Sequence, residues 1–173
     1  MRRPLPDLPW LSRFPELNVR TYVEAAGKPG VWFLSLDATN PLAVWAARRY
    51  FHLPYFLAQM RLHRHGETIS YSSARNGARF RGAYQPVSQP YLATPGTLDH
   101  WLTERYCLYA QGPDGSLLRN DIHHAPWPLQ RATANIEENS MLARHGLEVG
   151  GPPAHLCFAR RVDVVVWGAE RVQ

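Results

Sequence analysis

The sequence is almost without lysine: Lys28 is the only one among 19 basic residues. It has two cysteines, Cys107 and Cys157, and both lie in apolar, strand-like runs, which favours buried free thiols over a disulfide-rich secreted scaffold. It has no hydrophobic run long enough to form a membrane helix, and prolines interrupt the stretch where a secretory signal would lie. We therefore expect a cytoplasmic protein with no membrane-spanning segment.

The composition is that of a globular chain. It has 173 residues, 45% of them hydrophobic and 19% charged, which predicts one domain over residues 1–173. The 15 prolines and 12 glycines favour turns and short strands over long helices, and residues 1–15 are expected to form an irregular arm. The net charge of +5 is not concentrated in a block of basic residues, and the aromatic residues are interleaved with aliphatic ones. This pattern disfavours a nucleic-acid partner.

The first strong strand signal surrounds the single lysine. Val19 and Val23 alternate with polar residues, and a second apolar run follows the sequence GKPG. This pattern predicts a hairpin with Lys28 at its solvated tip. A reactive lysine needs desolvation or a neighbouring cation, so we do not expect Lys28 to be catalytic.

Two short segments have helical signals. Asn40 is a suitable N-cap for a helix that Pro54 would end, with Leu42, Trp45 and Ala46 as its apolar stripe. A shorter helix is predicted after Thr97, with Leu98, Trp101 and Leu102 at helical spacing.

The rest of the chain alternates between strand-like runs and turns. Within residues 56–87, the turns HGE and RNG separate three such runs, and one face of the second carries Ile69, Tyr71, Ser73 and Arg75. We count eight to ten strands and two or three short helices, without alternation of strand and helix. The fold class is therefore predicted as mainly β, an antiparallel sheet curled into a barrel or clam that encloses one small-ligand cavity.

Several motifs, in this order, resemble the YqjF-like family of bacterial proteins of unknown function: FPELNVRTYV, GVWFLSLDA, AARRYFHLPY, YSSAR, LTERY and HHAPWPLQ. The resemblance extends from about residue 14 to residue 168. That family is similar to acetoacetate decarboxylase, which implies a cone-like antiparallel β-barrel with a central cavity.

The resemblance also places individual residues. Acetoacetate decarboxylase forms a Schiff base through a lysine that follows a proline, after a helix that bears an arginine. Here Pro54 is in place, Arg48 matches the arginine, and Tyr55 stands where the lysine would be. Glu16 is the nearest match to a glutamate that the decarboxylase uses. Because tyrosine forms no imine with a keto acid, the resemblance implies no decarboxylase mechanism, and we expect no cofactor.

These residues predict a pocket for a small organic anion. An inward-facing arginine is costly unless it is paired or holds an anion, and its planar fork matches a carboxylate. The candidate catalytic residues are Glu16 and Tyr55, and the candidate ligand-binding residues are Arg20, Arg48, Tyr71, Arg75, His124 and Trp127.

Two alternatives to ligand binding stay open. One is an enzyme of the lyase or hydrolase type that uses Glu16 and Tyr55 as acid and base. The other is a structural or interaction protein whose barrel is filled by salt bridges such as Glu16–Arg20. The sequence leaves the oligomeric state undetermined.

Histidines give only a weak metal signal. His63 and His65 share one strand face, whereas the adjacent His123 and His124 point to opposite faces. No acidic or cysteine ligand lies close to His63 and His65 in the sequence, so we expect no metal site.

Overall fold

The computed structural model describes residues 14–148 and 150–172, in which strands dominate. The strands are β1 (Glu16–Ala25), β2 (Lys28–Ala38), β3 (Tyr55–Leu57), β4 (Gln59–His65), β5 (Thr68–Arg75), β6 (Ala78–Pro86), β7 (Cys107–Gln111), β8 (Leu117–His124), β9 (Leu129–Asn139), β10 (Cys157–Ala159), β11 (Val164–Val166) and β12 (Glu170–Arg171). The helices are α1 (Pro41–Phe51) and α2 (Leu98–Thr103), with a single 3-10 turn at Ala143–His145. Most of the predicted N-terminal arm lies outside the described residues.

The strands form two sheets, which confirms the predicted mainly β fold. The first sheet has the order β1-β2-β7-β8-β11, with β3 beside β2 and β12 beside β8. The second has the order β10-β9-β6-β5-β4. Most neighbours are antiparallel, but β2 pairs in parallel with β3 and with β7. A parallel pair requires a connection that brings the chain back to run in the same direction. For β3 this connection contains α1, and for β7 it ends with α2.

The β1–β2 hairpin forms as predicted, but its turn is two residues earlier than expected. The turn residues are Ala26 and Gly27, both with positive φ, and Lys28 already pairs with Ala25. Lys28 is half-buried, and its Nζ lies 2.9 Å from Oδ1 of Asp121 on β8. The prediction of a fully solvated lysine at the tip was therefore wrong, because the strand pairing extends to the turn.

Helix α1 begins and ends where the sequence predicts, but it buries a different face. The Asn40 side chain accepts hydrogen bonds from two backbone N–H groups of the first turn, and the helix ends before Pro54. The buried residue is Val44, whereas Leu42 and Trp45 of the predicted stripe are 44% and 55% exposed. The helix packs on β3 and β2 through its other side, and Trp45 lies on the surface against Tyr50.

Helix α2 follows the prediction only in part, because Leu102 is half-buried but polar residues of the helix also point inward. Leu98 and Trp101 are about half exposed, whereas Asp99 and Thr103 are buried. Thr97 caps the helix as expected. The inward turn of Asp99 and Thr103 places polar groups of α2 next to two sites described below.

The segment after residue 156 is divided between the two sheets. β10 pairs with β9 in the second sheet, whereas β11 and β12 both pair with β8 in the first. Both cysteines are free thiols, as predicted, but Cys107 is buried whereas Cys157 is only partly buried. Across residues 14–148 and 150–172, neither helix has the length and hydrophobicity that a membrane crossing requires.

Candidate functional site

A cavity of about 420 Å³ lies against the first sheet, lined also by the last turns of α1 and α2. Small-molecule pockets span about 300–1,000 Å³, so this volume suits one small ligand. Aliphatic and aromatic side chains from β2, α1, β7, β8 and β11 form most of its wall. Its polar lining residues are Glu16, Asn18, Arg20, Tyr55, Thr103, Arg105 and His124.

Glu16 and Tyr55 form a hydrogen-bonded pair in this wall. Glu16 begins β1, and Tyr55 begins β3 where that strand joins β2. The Tyr55 hydroxyl donates to Oε2 of Glu16 over 2.7 Å. Burial raises the pKa of Tyr55 far above its ordinary value, and the Glu16 carboxylate raises it further. Tyr55 is therefore a protonated donor at neutral pH.

Two of the predicted ligand-binding residues lie behind this pair and do not line the cavity. Arg48 donates from Nε to the backbone oxygen of Tyr55 over 2.6 Å, and its guanidinium lies 5.3 Å from the centre of the Phe56 ring. Tyr71 is buried and donates its hydroxyl to the backbone oxygen of Glu16 over 2.8 Å. Arg48 therefore holds the backbone of Tyr55, and Tyr71 holds the backbone of Glu16.

Arg75, also predicted to bind a ligand, is paired inside the protein. Its Nε lies 2.6 Å from Oδ1 of Asp37, and the two side chains are 5% and 0% exposed. The Ser73 hydroxyl donates to the other Asp37 oxygen over 2.8 Å, and the Phe56 ring centre is 4.2 Å from the guanidinium. The inward orientation that the sequence predicted is correct, but the anionic partner of Arg75 is Asp37 and not a ligand.

Arg105 is the cationic residue of the cavity wall that sequence reasoning missed. It follows α2, is only 8% exposed, and its guanidinium lies 4.4 Å from the Trp101 ring centre. Nη1 donates to the backbone oxygen of Glu104, but Nε is buried without a hydrogen-bond partner. No carboxylate in the described part of the chain lies within 4 Å of this guanidinium. Among the described residues, Arg105 is thus a buried cation without a counter-ion.

His124 and Trp127 position the Arg105 backbone. His124 is buried, and its Nε2 lies 3.2 Å from the Arg105 carbonyl oxygen. The Trp127 indole N–H lies 3.1 Å from Nδ1, which also lies 2.9 Å from the Ala125 carbonyl. The neutral tautomer with its proton on Nε2 satisfies Arg105 and Trp127 together. These predicted residues do line the cavity, and His124 also supports the arginine that was not predicted.

Arg20 is the second arginine of the lining. It lies on β1 and is exposed; its Nη2 lies 3.4 Å from the Tyr22 hydroxyl, and its guanidinium lies 5.8 Å from the centre of the Tyr22 ring. The Tyr22 ring lies 5.5 Å from the Arg105 guanidinium, so it is in contact with both cations. Lys28 is not among the lining residues, and His63 and His65 lie on the exposed face of β4.

Residues 2–163 match the family described as an uncharacterized conserved protein, the domain of unknown function DUF2071. The uncharacterized protein YqjF of Bacillus subtilis (strain 168) is 46% identical over 168 residues, which cover 95% of this chain and 69% of the relative. The resemblance inferred from the motifs is thereby confirmed.

Solved structures of acetoacetate decarboxylases and related enzymes share the fold. An acetoacetate decarboxylase has a TM-score of 0.60 at 12% identity, covering 92% of this chain and 68% of its own. The enduracididine biosynthesis enzyme MppR, complexed with pyruvate, has a TM-score of 0.56 at 12% identity, covering 91% and 64%. An acetoacetate decarboxylase-like enzyme from Sphingomonas wittichii RW1 has a TM-score of 0.55 at 12% identity, covering 92% and 69%. At these identities, the likeness concerns the fold.

Proposed function

Because the chain belongs to the DUF2071 family of uncharacterized conserved proteins and has the fold of acetoacetate decarboxylase, we propose that it binds a small organic anion in the cavity. The observation that carries the proposal is Arg105, a buried guanidinium on the cavity wall that has no counter-ion among the described residues. The ligand class is a small carboxylic acid with an apolar body.

The physical argument rests on desolvation. Burying an ion without a partner costs several kcal/mol, and this cost is offset when an opposite charge with matched hydrogen bonds is supplied. A carboxylate fits the planar donor fork of Arg105, and Arg20 lies on the same lining as a second cation. The surrounding walls are aliphatic and aromatic, which suits a hydrocarbon body. An empty volume of about 420 Å³ favours this reading over a filled barrel.

We infer that any chemistry in this cavity does not proceed through a lysine imine. Lys28 is the only lysine of the chain, and it pairs with Asp121 outside the cavity lining. Tyr55 stands at the position that the resemblance assigns to the Schiff-base lysine. The complex of MppR with pyruvate supports a small carboxylic acid as the ligand class.

The test is a ligand screen with an Arg105→Met variant. Tag-free protein is screened by thermal shift against small keto, hydroxy and fatty acids at fixed pH and ionic strength, and positive compounds are titrated by calorimetry. A ligand at a hundred times its Kd stabilises the folded state by about 2.7 kcal/mol, which is readily measured. Loss of a charged hydrogen-bonding partner is worth about 1.5–3 kcal/mol, so we expect Arg105→Met to weaken binding roughly 10- to 100-fold.

The matched control is Arg64→Met, because Arg64 pairs with Glu67 on the exposed turn after β4. It should bind with unchanged affinity. The proposal is wrong if Arg105→Met binds as tightly as the unmodified protein, or if the uncharged amides of the same acids bind equally well.

The Glu16–Tyr55 pair supports a second candidate, acid–base catalysis on the bound acid. One Glu16 oxygen accepts from Tyr55, and the other accepts no hydrogen bond from the described residues, so it can take a proton from a ligand while Tyr55 stays protonated. We expect Glu16→Gln to retain ligand binding and to lose at least about 100-fold in turnover, the low end of a general base contribution. Incubation of each bound acid with the protein, followed by proton NMR, measures it. Equal conversion by Glu16→Gln and the unmodified protein would exclude this role.

A further inference from the structure

Three side chains with different donor atoms converge between α2 and the start of β10. Asp99 comes from α2, His155 from the segment before β10, and Cys157 from the first position of β10. One carboxylate oxygen, one imidazole nitrogen and the thiol sulfur all lie within 4.8 Å of one another. None of the three lines the ligand cavity.

The facing atoms of Asp99 and His155 have no hydrogen bond between them. Oδ1 of Asp99 and Nε2 of His155 are 2.7 Å apart, but the contact is not aligned as a hydrogen bond. Both atoms are buried without another partner, and the Asp99 side chain is only 8% exposed. Such orphaned atoms are costly in a protein interior. A carboxylate oxygen and an imidazole nitrogen that face each other without an aligned hydrogen bond are an arrangement that a bound cation satisfies.

The other Asp99 oxygen is already held in place. Tyr91 donates its hydroxyl to Oδ2 over 2.9 Å, and Nη2 of Arg131 lies 3.8 Å from the same oxygen. These contacts fix the carboxylate and leave Oδ1 directed at His155. Support of this kind around a ligating carboxylate is usual in metal sites, because it orients the ligand.

We propose that Asp99, His155 and Cys157 bind one divalent transition-metal ion, with Zn²⁺ the best match. Zn²⁺ accepts carboxylate, imidazole and thiolate ligands together, whereas Mg²⁺ and Ca²⁺ take oxygen ligands. A carboxylate and a thiolate neutralise its two charges, and neutral His155 completes the three protein ligands. A tetrahedral ion has a fourth position, which water can fill because the His155 side chain is 20% exposed.

The adjustment that the ion requires is small. Bond lengths of about 2.0–2.3 Å in a tetrahedral site place ligand atoms roughly 3.3–3.7 Å apart. The Asp99–His155 contact of 2.7 Å would open by about half an ångström, and the longest separation of the set, at most 4.8 Å, would close by about 1 Å. Rotamer changes of His155 and Cys157 supply shifts of this size.

The ion would connect β10 to α2. Thr103, at the end of α2, donates its hydroxyl to the Asp99 backbone oxygen over 2.8 Å and lines the ligand cavity. The site therefore stabilises the helix that precedes Arg105. This metal site was not expected from the sequence. The expectation considered only ligands close together in the sequence, whereas Asp99 is distant from His155 along the chain. The proposal does not depend on the identity or existence of a ligand in the cavity.

Cobalt titration of the 173-residue chain tests the proposal. The protein is prepared without a histidine tag, treated with a chelator, freed of the chelator, and titrated with Co²⁺. We expect a thiolate-to-cobalt absorption band that saturates at one equivalent per chain and is displaced by Zn²⁺. Cys157→Ser should abolish this band and weaken Zn²⁺ binding at least about tenfold, because a hard hydroxyl replaces a soft thiolate. Asp99→Asn should weaken it similarly.

The matched control is Cys107→Ser, which removes the other thiol and should retain the band and the stoichiometry. Circular dichroism of each variant checks folding, and Cys157→Ser alone suffices if Asp99→Asn does not fold. The proposal is overturned if the unmodified protein gives no saturable band, or if the band survives in Cys157→Ser. It is also overturned if iodoacetamide alkylates Cys157 at a rate that Zn²⁺ does not change, because the thiol would then be a free nucleophile.

Discussion

Replacing Gly30 with alanine is expected to destabilise the protein by about 2–3 kcal/mol, the upper part of the range for overpacking a close-packed site. A Cβ at this position would lie 2.6 Å from Sγ of Cys107, 2.7 Å from the Tyr109 ring and 2.8 Å from the Cys107 backbone oxygen. Cys107 and Tyr109 are buried in β7, so neither has room to retreat. Urea unfolding at equilibrium gives the change in free energy directly.

Gly168→Ala is the matched control, because a Cβ added there meets nothing within 4 Å. It should change the free energy of unfolding by no more than about 0.5 kcal/mol, as exposed substitutions usually do. If Gly30→Ala were as mild as Gly168→Ala, the parallel contact between β2 and β7 would have to be looser than described.

Asp37→Asn is expected to cost about 3–5 kcal/mol, because it removes one charge from a buried ion pair and leaves the other uncompensated. The substitution keeps the shape of the side chain and removes its charge. Arg75 would then be a buried cation that faces a neutral amide and the Phe56 ring, whose centre is 4.2 Å from the guanidinium, and its Nη1 already lacks a partner. Thermal and urea unfolding of the variant measure the loss.

Asp163→Asn provides the comparison. It removes the carboxylate of the Arg161–Asp163 pair, whose side chains are 81% and 79% exposed, and it should cost less than about 1 kcal/mol. In the double variant Asp37→Asn/Arg75→Met, the orphaned cation is absent, so much of the stability should return. A double variant no more stable than Asp37→Asn would show that lost packing, and not an unpaired charge, causes the effect.

Local signals in the sequence predicted local structure well. The Asn40 cap and Pro54 define α1, and alternation defines the β1–β2 hairpin and the β5 face that carries Tyr71 and Arg75. These features depend on residues within a few positions of each other, where backbone geometry leaves few alternatives.

The buried faces of the helices could not be predicted in this way. Leu98 and Trp101 are apolar and Asp99 is polar, so spacing alone turns the wrong side inward. Asp99 is buried because two side chains lie against its carboxylate. Tyr91 comes from the segment before α2, and His155 comes from the distant segment before β10. Tertiary contacts determined the outcome, and they are invisible to a periodicity argument.

The candidate site shows the same division. The sequence predicted Glu16 and Tyr55, and the structure places them 2.7 Å apart. It missed Arg105, because an arginine after a short helix has no local signal that separates a paired surface residue from a buried unpaired one. The alternation of β5 predicted correctly that Arg75 faces inward. Its partner Asp37 lies on another strand, however, and no spacing rule connects the two residues.

The division of the final segment between two sheets also affects how the protein forms during synthesis. One side of β8 pairs with β7, and the other is covered by two late strands, β11 at Ile122–His124 and β12 at Leu118–Arg119. Until residues 164–171 have left the ribosome, this edge of β8 carries unpaired backbone groups beside an apolar cavity wall. Such an edge is a template for pairing with other chains. A nascent chain therefore has an aggregation-prone interval that ends only when β11 and β12 are in place.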